Sequence, residues 1–254
     1  MIRTFPSLMK KRDCQVSIVL PTYNERENIQ EIIPLIYETF KNQSFEIIIV
    51  DDNSPDGTSE IARELSKKHP MIQVITRTGT RGIGAALAEG YSNARGNIII
   101  SSDADLSLHP SEMLLLLKKI DEGCDLIVGS KYENGAEYEK RGWKKHLQAF
   151  ISRTGNIYMR CITGIPLLDF TLNFRAFRRE LWNSFHTVET GNIMLLEMIY
   201  KAKIHGYHIQ SIPVTFSERK YGVTKFQFFK TSLPFLLKTS MIGIKRVFKK
   251  NPEW

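Results

Sequence analysis

Short aliphatic runs alternate with longer stretches of helical period through the first half of the chain. Val16-Ser17-Ile18-Val19-Leu20 reads as a strand stopped by Pro21. Phe45-Glu46-Ile47-Ile48-Ile49-Val50 reads as a second strand, Ile72 to Thr76 as a third, Ile98 to Ser102 as a fourth, and Asp125-Leu126-Ile127-Val128-Gly129 as a fifth. Apolar runs without polar alternation belong to strands covered on both faces. Between them the period changes to that of a helix. Ile29, Ile32, Ile33 and Ile36 form one face, with Asn24 as the expected N-cap. Thr58 opens a helix carrying Ile61 and Leu65, a glycine-spaced helix runs from near Gly82 to Arg95, and another follows Pro110, with His109 as its entry residue. Strands and helices in this alternation predict parallel right-handed crossovers. The expected class is α/β, a mostly parallel central sheet with helices on both faces.

The second half is less regular. Residues 133–144 are polar and read as a mobile loop. Leu147 to Ile162 reads as a helix, Asp169 to Phe177 as a half-buried alternating strand, Gly191 to Ile204 as a helix, and Ile209 to Phe216 as a strand. A basic loop, Glu218 to Lys225, follows. From Phe228 to Phe248 apolar residues recur at helical spacing among lysines and Arg246. Three segments result: a basic extension over 1–14, a catalytic domain over 15–227, and a basic amphipathic tail over 228–254. The tail has two readings, a helix packed on the core or one lying in the plane of an anionic membrane surface. Met1 to Arg12 has no apolar core, so no secretory leader is expected, and no apolar run reaches the length of a membrane span.

Composition narrows the partners. The net charge of +8, from 35 Lys+Arg against 27 Asp+Glu, points to an anion: nucleic acid, a nucleotide or an acidic membrane. Nucleic acid fits poorly, because no reader motif of basic and interleaved aromatic residues is present and acids crowd the expected cleft. Cys14, Cys124 and Cys161 lie far apart with no paired metal spacing, and read as free thiols of a reducing compartment.

Ligands of open α/β sheets bind outside the carboxyl ends of the strands. Pro21–Glu25, Asp51–Asp56, Asp103–Ser107 and Gly129–Tyr132 each follow a strand, so all four fall on one edge of the sheet. Asp103 and Asp105 either cap the loop before the next helix or reach one cation together. Hard oxygen donors of this kind suit Mg2+ or Mn2+, which bind through one or two carboxylates plus substrate phosphates. A row of acids on a basic protein is consistent with a cation-bound diphosphate, the leaving group of a nucleotide-sugar transferase.

Six motifs in order carry a resemblance. They are Pro21-Thr22-Tyr23-Asn24-Glu25, Val50 to Thr58, Asp103-Ala104-Asp105-Leu106-Ser107, Gly129-Ser130-Lys131-Tyr132, Phe174-Arg175-Ala176-Phe177-Arg178, and Arg219 to Lys225. Over residues 15–228 the chain resembles the inverting family-2 glycosyltransferases of the GT-A nucleotide-sugar-binding fold, most closely their dolichyl-phosphate mannose synthase branch. The resemblance implies that Pro21, Tyr23, Glu25, Val50 and Asp52 hold the nucleoside. Asp103, Asp105 and Ser107 would take the metal and diphosphate, with Ser102 and Ala104 lining the site. Arg219, Lys225 and Lys131 would contact phosphates. Two departures stand out: Lys131 where the family usually has Arg, and Thr171-Leu172-Asn173 where it is usually small and glycine-containing. Lys cannot reproduce the bidentate contact of Arg.

A sugar hydroxyl acceptor needs a general base. Hydroxyl-using members of the wider family usually carry a Glu-Asp pair, and many carry Gln-x-x-Arg-Trp. Here Glu197 is followed by Met198, and Gln-x-x-Arg-Trp does not occur. A phosphate monoester is mostly dianionic at pH 7, with its second pKa about 6, and needs no base. The expected reaction is transfer of mannose from GDP-mannose to a polyprenyl monophosphate, with Lys131 or Arg175 assisting Arg219 and Lys225. It would occur at a cytoplasmic membrane face, with a membrane-anchoring subunit as a possible partner. The alternatives are a related transferase using UDP-glucose or another sugar nucleotide, a hydroxyl acceptor, or a nucleotide-binding regulatory module without activity.

Overall fold

The computed structural model describes residues 14–79, 81–138, 143–221 and 236–241. In chain order these form β1 (Val16–Thr22), α1 (Arg26–Phe40), β2 (Phe45–Asp51), α2 (Thr58–Lys68), β3 (Ile72–Thr76), α3 (Ile83–Asn93) and β4 (Ile98–Ser102). A short 3-10 turn (Pro110–Glu112) leads to α4 (Met113–Asp121), β5 (Leu126–Ser130), β6 (Glu137–Tyr138), α5 (Trp143–Thr163) and β7 (Phe174–Arg178). Then come α6 (Arg179–Asn183), α7 (Ile193–Ile204), β8 (Ile209–Pro213) and β9 (Thr215–Phe216). Residues 236–241 are helical.

Seven strands make the main sheet in the order β3-β2-β1-β4-β7-β5-β8, and β6 pairs with β9 in a second, two-stranded sheet. The main sheet is parallel except for β7, which runs antiparallel between β4 and β5. Its aliphatic strands are covered on both faces, as their lack of polar alternation requires. Ile18, Leu20, Ile47, Ile49 and Ile100 share one core with Ile29, Ile32, Ile33 and Ile36 of α1 and Met113 and Leu116 of α4. Val19, Ile48, Val50, Ile99 and Val128 share the other with Leu87 and Tyr91 of α3 and Met194 and Leu195 of α7. Each fully buried aliphatic side chain contributes roughly 1.5–3 kcal/mol.

Four expectations need correction. Strand β1 does not stop at Pro21 but runs to Thr22, paired with Val50 and Asp51. The Thr22 carbonyl accepts from Asp52 N, so Thr22 faces β2 and Pro21 faces the opposite side. There the pairing with β4 has already ended at Val19, and the missing N–H of proline breaks no ladder bond. Asn24 does not cap α1. It adopts a left-handed backbone (φ 54°), and the helix starts at Arg26 with Glu25 at the N-cap. Its N–H donates to Ser54 Oγ at 2.9 Å, tying this turn to the loop after β2. Strand β7 is not half-buried: its interior is buried on both faces, Arg175 included, because α4 packs on one side and α7 on the other. The stretch 133–144 is not all loop, since it contains β6 and the first residues of α5.

Helix α3 lies so close to the sheet that only glycine fits at position 90. A Cβ there would sit 2.4 Å from Val19 Cγ1 and 3.1 Å from Val50 Cγ2, both stiff β-branched side chains. Gly90→Ala is expected to cost about 1–3 kcal/mol through overpacking. That lowers the melting temperature by roughly 2–4 °C per kcal/mol in a domain of this size. Unchanged thermal unfolding of the variant would show that α3 can move away freely.

Candidate active site at the carboxyl edge of the sheet

Strands β1, β2, β4 and β5 are parallel, so the segments that follow them emerge on one edge. The first group lies after β1 and β2. Tyr23 is half-buried, and its hydroxyl accepts from Arg81 Nη1 at 2.8 Å while the same guanidinium lies 4.8 Å from the ring centre. The Asp52 carboxylate pairs through one oxygen with Arg77 and accepts Gly82 N–H through the other at 2.8 Å. It therefore anchors the start of α3 as well as facing this group. Glu25 is buried and accepts from Asn28 Nδ2 at 2.6 Å. Pro21 is half-buried at the strand end. Val50 is fully buried in the core against α3, so its side chain does not reach this group.

The acid pair follows β4. Asp103 Oδ1 accepts from Asn173 Nδ2 at 3.0 Å. Asp105 is buried, accepts Ser107 N–H at 3.0 Å through Oδ1, and pairs with Arg219 Nε at 2.9 Å through Oδ2. Burial first, and the neighbouring Asp105 charge second, push the Asp103 carboxyl up to about 6, against the Asn173 hydrogen bond and the charges of Arg219 and Lys131. Ser102 is buried, with its hydroxyl donating to Asp103 O at 3.1 Å. The Ala104 methyl points into the core, so only its backbone is at the site.

The basic groups divide. Lys131 follows β5, with Nζ 3.9 Å from Asp169 Oδ2 and 4.8 Å from the Phe216 ring centre. Arg219 lies on the segment after β9, directly over the acid pair. Lys225 lies outside the described residues. Arg175 is not available to an anion. It is fully buried, donating to Leu195 O at 3.1 Å and Leu172 O at 3.0 Å, and burial holds its pKa below the usual arginine value.

Sequence reading missed Arg77 and Arg81, and marked Asn173 only as a departure from the family pattern, not as a partner of Asp103. Arg77 comes directly after β3, so the carboxyl-end rule would have found it. Asn173 precedes its strand, and only the antiparallel direction of β7, with Ser102 opposite Phe174, brings it beside Asp103.

The donors fit a hard divalent cation. Ser107 Oγ is buried beside Asp105 and has no hydrogen-bond partner among the described residues. No group of three acid, histidine or cysteine side chains suited to a metal occurs among the described residues. Two carboxylates and a hydroxyl are few donors, which suits Mg2+ or Mn2+, ions that keep water and complete their shell with phosphate oxygens.

The carboxyl edge of the sheet thus gathers an acid pair, Tyr23 with Arg81, and Arg219 over the acids, groups that suit a cation and an anionic ligand. Residues 17–185 match the model of "Glycosyl transferase family 2". The polyprenol monophosphomannose synthase of Mycolicibacterium smegmatis is 34% identical over 215 residues, 82% of this chain and 79% of the relative. The dolichol-phosphate mannosyltransferase of Pyrococcus furiosus is also 34% identical over 215 residues, 84% of this chain, and the match spans only 59% of that longer protein. The glucosyl-3-phosphoglycerate synthase of Mycobacterium tuberculosis, solved with Mn2+, UDP and phosphoglyceric acid, superposes with a TM-score of 0.66 at 19% identity. That alignment covers 89% of this chain and 78% of the other, and the likeness is one of fold. The chain belongs to glycosyl transferase family 2 and is a nucleotide-sugar-dependent glycosyltransferase.

The acid pair has a measurable cost. The raised Asp103 pKa means that between about pH 4 and 6 the folded protein binds a proton that the unfolded chain has lost. Stability is therefore lost as pH rises through that window and stays lost above it. Asp103→Asn is expected to raise the melting temperature at pH 7 in chelator while lowering transfer. A lower melting temperature in the variant would show that the pair is not under repulsion.

Proposed function

We propose that the protein transfers mannose, with inversion, from GDP-mannose to a polyprenyl monophosphate. Both curated relatives at 34% identity are named for lipid-phosphate mannosyl transfer, and this supports the reading. The observation that carries the acceptor is Glu197. Its carboxylate, fully buried on α7, accepts Val188 N–H at 3.0 and 3.1 Å and Glu189 N–H at 3.0 Å, and pairs with Lys201 at 2.8 Å. Its oxygens are taken up in holding the loop before α7 and the Lys201 ammonium rather than left open to an acceptor hydroxyl. A dianionic phosphate requires none.

In this reading the nucleobase lies against Tyr23 and Arg81, and Pro21, Glu25, Asp52 and the Val50 backbone frame the nucleoside. The diphosphate lies over Asp103, Asp105 and Ser107, which hold Mg2+ or Mn2+, with Ser102 and the Ala104 backbone behind them. When bound, the cation neutralises charge developing on the departing diphosphate. Arg219 and Lys225 serve the phosphates. Lys131 faces the acceptor phosphate, its ammonium held as a point charge between Asp169 and the Phe216 ring. Reaction then depends on bringing two anions together in line rather than on proton transfer.

A second reading, glucosyl transfer from UDP-glucose to a soluble phosphate-bearing acceptor, draws on the fold likeness to the glucosyl-3-phosphoglycerate synthase. The departure at Thr171-Leu172-Asn173, which places an asparagine on Asp103, bears on the same choice.

We place the protein peripherally at a cytoplasmic membrane face. No described helix is long and apolar enough to cross a membrane. Leu236, Leu237 and Met241 of the tail are exposed, as are Phe150 and Ile157 of α5, and Tyr158 and Ser240 join the two helices by a hydroxyl contact of 2.6 Å. An apolar surface of this kind, on a chain of net charge +8, suits lipid headgroups, with or without an anchoring subunit.

A panel of labelled sugar nucleotides, offered with polyprenyl phosphate or with phosphoglycerate, plus and minus Mg2+ or Mn2+, tests the reading. Mannosyl lipid formed only with metal is the expected product. Glucosyl transfer to phosphoglycerate alone would favour the second reading. Asp105→Asn should lower turnover about 10²-fold or more, the scale of a lost major electrostatic contribution. Glu197→Gln should lower the melting temperature by unpairing Lys201, yet below that temperature cost less than about 10-fold in turnover, short of the ~10²–10⁴ of a general base.

A further inference from the structure

The segment carrying Arg219 crosses the acid-pair loop and is fastened to it by its backbone. Ser217 N–H donates to Ser107 O at 2.9 Å, and Lys220 N–H donates to Asp105 O at 3.4 Å. The next two side chains reach past the loop to α1. Lys220 Nζ pairs with one oxygen of Glu31, and the Tyr221 hydroxyl donates to the other at 2.6 Å. Both oxygens of one carboxylate are thus spent on consecutive residues of a distant segment. Among the described residues the Glu31 carboxylate makes these contacts, one ion pair and one hydroxyl bond. It is one-third exposed on α1, whose buried face is complete with Ile29, Ile32, Ile33 and Ile36.

We propose that Glu31 is a positioning residue for Arg219, acting through Lys220 and Tyr221. The inference deepens the proposed function and rests on Arg219 serving the diphosphate. One exposed ion pair contributes little. Here an ion pair and a hydroxyl bond act at adjacent positions, one and two residues from Arg219, so they fix where its backbone lies relative to Asp105. A shift of about 1 Å at a phosphate-binding guanidinium is enough to weaken a charge-assisted contact. Glu31 is therefore a determinant of donor affinity that lies outside the donor pocket.

Calorimetric titration of the full chain with Mn2+–GDP and Mn2+–UDP tests this, with thermal melts to confirm folding. Arg219→Ala should weaken binding of the preferred nucleotide. Glu31→Ala should weaken it by about 3-fold and Glu31→Lys, which repels Lys220, by about 10-fold. The charge swap Glu31→Lys with Lys220→Glu should recover most of the loss. Glu31→Lys combined with Arg219→Ala should bind no worse than Arg219→Ala alone, because the two act through one contact. Wild-type affinity in Glu31→Lys, or losses that multiply in the double variant, would overturn the proposal while leaving Arg219 as a donor ligand. Wild-type affinity in Arg219→Ala would instead remove the premise.

Discussion

Two carboxylates within three residues of one loop, Asp105 buried and Asp103 half-buried, repel each other and lose much of the screening of water. The rest of the carboxyl edge is arranged around that cost. Asn173 gives Asp103 an amide hydrogen bond, the Ser107 backbone gives Asp105 another, and Arg219 supplies a full positive charge. Lys131 adds a charge slightly farther away. These contacts do not offset burial and, after it, the Asp105 charge, which together hold Asp103 above the usual carboxylate range. A site built this way favours a divalent cation over any internal partner. Stability is given up where the two acids are held together.

The groups that face the pair come from the second half of the chain, and their placement depends on the one antiparallel strand. Because β7 runs against β4, its amino end lies beside the carboxyl end of β4, and the turn from Asp169 to Asn173 enters the site from the opposite chain direction. Asp169 braces that turn, accepting from Thr171 N–H and Leu172 N–H at 3.1 and 3.2 Å. Arg175 braces it from beneath by donating to the Leu172 carbonyl. Arg175, expected to assist at the phosphates, is instead held within the scaffold, and Glu197 is bound to the loop before α7. Both are buried, and backbone groups take up much of their hydrogen-bonding capacity.

A related economy holds after β1 and β2. Asp52 pairs with Arg77 and also holds the N–H of Gly82, just before α3, while Thr190 O accepts from Ala85 N–H at 2.9 Å. The start of α3 is therefore shared between the Asp52 group and the loop that Glu197 secures.

The sequence by itself determined the alternation of buried strands and amphipathic helices, because burial on two faces leaves an unbroken aliphatic run and burial on one leaves a 3.6 period. From that alternation it also determined that Tyr23, Asp52, the acid pair and Lys131 share one edge, since parallel strands send their carboxyl ends the same way. Local signals failed where the neighbour decides the outcome. Pro21 continues a strand because β4 has already ended beside it, and Val50 and Ala104 turn inward because alternate residues of a strand or turn cannot all face a ligand. Only the tertiary structure decided that Asn173 meets Asp103 and that Glu31 meets Lys220 and Tyr221. Those contacts join residues 70 and about 190 positions apart, and no periodicity along the chain encodes a distance set by the order and direction of strands in a sheet.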